Sequence, residues 1–340
     1  MQVQLARELA AAWVRGTVSA RRDVVGAFFS GSTVEMKPSD SLPVASDVDV
    51  VLVLEASQIP AKPGKLRHGG VLIEVTYLSR DDLADPQVVA ETYVLAPSFA
   101  RDTIIYDPTG LLRRVHQRVS ARFADPELVQ RRVDGVRAKS LSGLVGLGSS
   151  SPWHEQVNAW LFSSSLATHA VLVAGLRNPT VRLRFLAARQ VLTAHRLDDF
   201  YPRLLSLNGC AGTTAAATQH HLDELARSFD LAAEVARTPF FFSSDITAEA
   251  RPIAIDGSQQ LIDSGNHREA VFWIMATFAR CRQILTADAP DAEETFEQAY
   301  AAAAEDLCGV RTSADLRAGA ARARQEWPAV MAVCRHIIGR

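Results

Sequence analysis

The spacing of apolar residues changes once along this chain, and that change most constrains what it can fold into. Up to Asp107-Pro108-Thr109-Gly110 they come in short β-branched or aromatic runs bounded by Gly, Pro, Asp or Ser: Val24 to Phe29, Val48 to Leu54, Val71 to Leu78 and Thr103 to Tyr106. Runs of this kind read as strands. Beyond Gly110 the spacing becomes three to four residues and no further convincing strand follows, which reads as helix upon helix. The expected fold class is α+β: a mixed sheet flanked by helices, then an all-α helical bundle. A chain of 340 residues with 48% hydrophobic content can bury two cores. The expected domains are residues 1–125 and 126–340, with the Gly- and Ser-rich stretch 146–152 as the flexible joint.

Local signals refine this outline. Residues 2 to 15 set Leu5, Leu9, Ala12 and Trp13 at helical spacing, and a second short helical pattern leads to the first strand, which stops at Ser30-Gly31-Ser32. Asp125-Pro126 and Asn178-Pro179 each place a capping side chain before a proline whose missing N–H is harmless in a first turn, and Asp291 is a further cap. Residues 238–266, with Pro239, Phe240-Phe241-Phe242 and Pro252, read as an irregular excursion packed by its aromatics.

Charge and cysteine usage exclude several classes. The formal net charge is −2, with 18 basic against 17 acidic residues through position 140 and 18 against 21 after it. Neither half is a polycation, which argues against non-specific nucleic-acid binding. Cys210, Cys281, Cys308 and Cys334 form no close pair, so neither a zinc knuckle nor a disulfide framework is indicated, and a reducing cytosol suits them. No apolar run approaches the roughly 18 residues of a membrane helix, and the opening MQVQLARELAAAWVRG has no signal-peptide pattern, so the expected location is cytoplasmic.

The chemistry-bearing stretch is Phe28-Phe29-Ser30-Gly31-Ser32, a loop, then Asp47-Val48-Asp49-Val50-Val51-Leu52-Val53. Residues i and i+2 of a strand share a face, so Asp47 and Asp49 project together while Val48 faces the core. Two such carboxylates repel unless a positive group lies between them, and a hard cation with oxygen ligands is the usual solution. Glu74, the one acidic residue in the apolar run Val71 to Tyr77, is costly to bury unpaired and completes a trio if its strand lies beside that of the aspartates.

This order of helix, strand ending in Gly31-Ser32, Asp-x-Asp strand and later strand with one carboxylate resembles the polymerase-β-like nucleotidyltransferase superfamily. Within it, the chain looks most like the small bacterial enzymes related to kanamycin and other antibiotic nucleotidyltransferases, and Ile105 to Gly110 and the helical second half extend the similarity. The resemblance implies a nucleotidyltransferase domain at 1–125 and a helical substrate-binding domain at 126–340. It implies that Gly31 and Ser32 approach the triphosphate and that Asp47, Asp49 and Glu74 hold Mg²⁺, with two ions expected. From Gly31 to Asp47 is sixteen positions (47 − 31), a few more than the motif usually has, and the prolines between Met36 and Val44 mark the extra loop. The implied reaction moves NMP, AMP foremost, from an NTP to an acceptor hydroxyl and releases pyrophosphate by in-line displacement. The implied partners are the NTP and a small-molecule acceptor.

Other residues are candidates on local grounds. Glu155, beside His154 at a helix start, is a candidate base for the acceptor. Lys65 and Arg67 precede the Glu74 strand and read either as phosphate contacts or as a solvated hairpin; Gly64-Lys65 is no Walker A loop. Arg182 and Arg184 read as cations in a first helical turn, where they oppose the dipole, and so as phosphate ligands or ion-paired residues. His220 and His221 read as surface residues, and His267-Arg268-Glu269 as the polar start of a core helix. Two alternatives stand beside the leading one: transfer to a protein or RNA acceptor, as in toxin-like or modifying enzymes, and an inactive nucleotide-binding module.

Overall fold

The computed structural model describes residues 1–147 and 151–339. The fold is α+β, with a five-stranded mixed sheet in the N-terminal part and helices after it. Contacts divide the chain into two compact units, Met1–Arg132 with Leu176–Pro179, and Val133–Gly175 with Thr180–Arg340. The division falls within a helix, after Arg132. The joint expected at 146–152 belongs to the second unit, and its residues 148–150 lie outside those described.

The first unit opens with helix α1 (Val3–Ala20), continuous through the stretch read as two patterns. Its buried stripe is Val3, Ala6, Ala10 and Val14. Of the stripe expected at Leu5, Leu9, Ala12 and Trp13, Leu9 and Trp13 pack half-buried against the same core, while Leu5 and Ala12 are exposed. Small side chains let the helix approach the sheet closely. The strands are β1 (Val24–Ser30), β2 (Val48–Leu54), β3 (Gly64–His68), β4 (Val71–Ser79) and β5 (Ile104–Tyr106), in the order β3-β4-β2-β1-β5. β2 and β4 run parallel; every other neighbouring pair is antiparallel. β3 was not read as a strand. It is short and charged and pairs with β4 as a hairpin arm, Lys65 opposite Glu74.

Alternation along β2 sorts the core into two layers. Val48, Val50, Leu52 and Leu54, with Ile73 and Val75 of β4, face α1. Val53 and Phe28 face the opposite layer, made by α2 (Pro86–Glu91), α3 (Ala96–Phe99) and α4 (Leu111–Arg122), which contributes Val89, Phe99, Leu112 and Val115. Asp47, Asp49 and Glu74 are in register with this second face, at the end where β2 begins. α5 (Pro126–Gly143) starts as expected, with Asp125 Oδ1 accepting from the Glu127 N–H at 3.1 Å.

The second unit comprises the rest of α5, α6 (Trp153–Ala174), α7 (Arg184–Ala194), α8 (Tyr201–Leu207), α9 (Ala215–Val235), α10 (Gly257–Asp263), α11 (His267–Asp288), α12 (Pro290–Cys308) and α13 (Ser313–Ile338). By length and composition alone, an 18-residue window of the 22-residue α6 is apolar enough to cross a membrane. That stretch is 78% buried within the protein, packed by α7, α8, α11 and α13. The buried hydroxyls of Ser164, Ser165 and Thr168 donate to carbonyls of the helix itself, Ser164 Oγ to Trp160 O at 2.6 Å. In the 238–266 stretch Phe242 is buried and stacks on Phe240, while Phe241 is 79% exposed, so the triplet packs only in part. A π-helical turn, Pro252–Asp256, runs into α10 where irregular chain was expected. Asp291 lies inside the first turn of α12 and does not cap it. All four cysteines are free and buried.

Candidate metal centre

Sheet register builds the site. Ser30 of β1 stands opposite Asp49 of β2, Asp49 opposite Glu74 of β4, and Glu74 opposite Lys65 of β3. Paired residues share a face, so these four side chains form a row across the sheet, and Asp47 joins them two positions from Asp49. Ligand oxygens of Asp47, Asp49 and Glu74 lie within 4.8 Å of one another, the only cluster of its kind among the described residues. Such an all-oxygen set matches the preference of Mg²⁺ or Mn²⁺ for hard ligands.

Two cations from the same edge answer this charge. Lys65 Nζ lies 2.6 Å from Glu74 Oε2 and 3.2 Å from Asp47 Oδ2, and Lys62 Nζ lies 2.5 Å from Glu74 Oε1. The Lys65 side chain is only 6% exposed, so it is a member of the cluster rather than part of a solvated hairpin. Three carboxylates against two ammonium groups leave one negative charge over, and it falls on Asp49. No donor among the described residues hydrogen-bonds to that carboxylate. Burial raises the Asp49 carboxyl well above the usual carboxylate range, the charges of Asp47 and Glu74 add to the shift, and Lys65 and Lys62 oppose it. Burial raises Asp47 as well, against the pull of Lys65. Burial would also raise Glu74, but Lys65 and Lys62 outweigh it and hold that carboxyl at about 2. A half-buried carboxylate with no paired cation, beside two others, is the electrostatic condition a bound cation relieves. The donor set therefore fits a divalent metal.

Gly31 ends β1 beside the trio. Its φ of +67° lies in the left-handed region, and a Cβ there would sit 1.7 Å from Asp49 Oδ2. Glycine is needed twice over, for the backbone and for the approach of Asp49. Ser32 follows, exposed, at the start of a 3-10 turn, Ser32–Val34. Ser30 Oγ and Ser98 Oγ are 2.9 Å apart, which ties the end of β1 to α3.

The other expected site residues belong to the second unit and are described by their contacts within it. Glu155, in the first turn of α6 in the second unit, accepts from Gln283 Nε2 at 3.4 Å and joins no ligand cluster among the described residues. Arg182 is not in a helical first turn; it precedes α7 and donates to Gly257 O at 3.4 Å. Arg184, the first residue of α7, is a core arginine: it donates to Ser165 Oγ at 2.6 Å, and its guanidinium stands 3.8 Å from the centre of the Phe272 ring. The dipole argument fails there because burial and ring stacking set its position. His221 is buried and paired with Asp306 Oδ2 at 2.9 Å, whereas His220 is exposed. Glu269, at the expected polar helix start, is itself buried between Tyr201 and Arg189.

Two further contacts escaped the sequence reading. Lys62 precedes Pro63-Gly64, and its only signal was a second lysine three positions before Lys65. Asn178 starts no helix; its Nδ2 donates to Gly31 O at 2.7 Å. No family model matches the chain, and no curated protein is detectably similar to it.

Proposed function

We propose that the chain is a Mg²⁺-dependent nucleotidyltransferase of the polymerase-β-like kind, which moves NMP, AMP foremost, from an NTP to a hydroxyl of a small-molecule acceptor and releases pyrophosphate. The observation that carries this reading is the trio Asp47, Asp49 and Glu74, whose ligand oxygens converge within 4.8 Å beside the Gly31 turn. When bound there, Mg²⁺ supplies charge stabilisation on the phosphate oxygens and in-line alignment of the acceptor and the leaving pyrophosphate.

The roles of the chain's own groups follow from their positions. Asp47, Asp49 and Glu74 hold the metal. Gly31 admits Asp49 against its Cα, and the exposed Ser32 offers a hydroxyl and an N–H to phosphate oxygens. Lys62 and Lys65, which neutralise the trio, are the nearest cations for a triphosphate whose metal takes over the carboxylates. The test is incubation with α-labelled NTPs and Mg²⁺ in a cell extract, followed by separation by size. Label in small products that disappears with Asp47→Asn/Asp49→Asn supports the reading. Label in a macromolecular band instead assigns the acceptor to protein or RNA, and no transfer from any NTP counts against the enzyme.

A second reading has one observation in its favour. The short Lys62–Glu74 and Lys65–Glu74 ion pairs also suit an inactive module whose carboxylates are neutralised by its own lysines. Mn²⁺ titration separates the two, because that module binds the ion no better than its Asp47→Asn/Asp49→Asn variant does.

A further inference from the structure

We propose that Asn178, in the loop between α6 and α7, is a positioning residue for the triphosphate, fixing the Gly31–Ser32 peptide so that the Ser32 N–H is presented to a phosphate oxygen. This rests on the nucleotidyltransferase reading and extends it to a residue 147 positions along the chain from Gly31.

The loop is built to deliver that side chain. Residues Leu176–Pro179 pack with the first unit although α6 and α7 on either side belong to the second. Leu176 holds φ +57°, a left-handed conformation unfavourable for a residue with a Cβ, and strain of this sort persists only where surrounding contacts enforce it. Pro179 disfavours the helical region for Asn178, which lies outside any helix. Both donors of Asn178 then go to one turn. Its N–H donates to Glu35 Oε1 at 2.5 Å and its Nδ2 to Gly31 O at 2.7 Å, while Arg177 Nε donates to Glu35 Oε2 at 2.9 Å. Glu35 closes the 3-10 turn, its own N–H donating to Ser32 O. The turn is thus held at Gly31 by Asn178 and at Glu35 by Arg177 and Asn178.

The consequence for Ser32 follows from peptide geometry. The peptide is planar and trans, so the Ser32 N–H points opposite to the Gly31 carbonyl. With that carbonyl turned to Asn178, the N–H points away from it, and among the described residues it meets no acceptor. The same glycine carries Asp49 against its Cα, so the oriented N–H and a metal ligand share one residue's surroundings. A planar donor fixed beside a cation-binding carboxylate is what a metal-bound phosphate requires.

The experiment is calorimetry with two probes, ATP plus Mg²⁺ and Mn²⁺ alone, on wild type, Asn178→Asp and Glu35→Gln. Asn178→Asp keeps the size but sets a carboxylate against the Gly31 carbonyl. Loss of one oriented hydrogen bond predicts ATP–Mg²⁺ binding weakened by about tenfold, with Mn²⁺ affinity unchanged because the trio is untouched. Glu35→Gln, which loosens the same latch more mildly, predicts a smaller loss of the same kind and carries the test should Asn178→Asp not fold. Unchanged ATP–Mg²⁺ affinity in a folded variant overturns the inference and leaves the nucleotidyltransferase reading standing. A parallel fall in Mn²⁺ and nucleotide affinity also overturns it, since that is the mark of general loosening. Absence of ATP–Mg²⁺ binding in wild type is a different result, which removes the functional reading and this inference with it.

Discussion

At the scale of single residues, Gly31 and Asp49 constrain each other. With φ at +67° and Asp49 Oδ2 where a Cβ would go, Gly31→Ala has no strain-free solution. It is expected to cost about 1–3 kcal/mol in chemical denaturation and to abolish Mg²⁺-dependent nucleotide binding; a variant as stable and as competent as wild type contradicts the packing described. A second residue sets an acid limit on the other unit. Burial, helped by the charge of Arg184 and only partly opposed by the hydrogen bond to Thr180 O, lowers the His169 pKa to about 3. The unfolded chain takes up a proton near pH 6.5 and the folded one does not, so stability is lost as pH falls from 6.5 toward 3. The expected loss from this group is about 1 kcal/mol between pH 7 and 5.5. His169→Gln should flatten that limb in urea midpoints taken at the two pH values.

At the scale of elements, the β3–β4 hairpin matters most for the site. Its register sets Lys65 against Glu74 and within reach of Asp47, and the preceding loop adds Lys62. Lys65→Met removes one partner of a mostly buried pair and is expected to cost about 3 kcal/mol of stability in EDTA. Because a metal relieves the same carboxylates, Mn²⁺ should recover part of that loss, and the variant should bind Mn²⁺ more tightly than wild type. An equal deficit with and without Mn²⁺ contradicts competition between lysine and metal. The acidic half of this arrangement was legible in the sequence, since Asp-x-Asp at a strand start and one Glu in an apolar strand follow from local alternation. The basic half was not. β3 is too short and charged for its pattern to announce a strand, and only pairing shows which face Lys65 takes. Asn178 was misread for a related reason: Asn-Pro carries the local signature of a helix start, whereas the hydrogen bond that decides its role goes to Gly31, 147 positions away.

At the scale of the whole molecule, the change from strand-like to helical spacing gave the α+β organisation directly, because periodicity reports which faces are buried. Contacts divide the chain inside α5 and return residues 176–179 to the first unit, and a helix crossing a division leaves no break in the apolar pattern. The helical unit was read too simply in its polar positions. Arg184, His221 and Glu269 are all buried, each provided with partners from other elements that spacing along one helix does not reveal.

The central claim is that the carboxylate trio holds a metal for an NTP, and it is tested most directly by thermal unfolding with ATP, GTP, CTP and UTP, each with and without Mg²⁺, on wild type and Asp47→Asn/Asp49→Asn. A ligand that binds only the folded state raises its apparent stability. The account predicts a rise in melting temperature that needs both a nucleotide and Mg²⁺ and vanishes in the double variant. It further predicts that the double variant alone melts no lower than wild type in EDTA, since two half-buried, mutually repelling carboxylates have gone. A nucleotide-dependent rise that persists without Mg²⁺ or in the double variant, or no rise with any nucleotide, contradicts it.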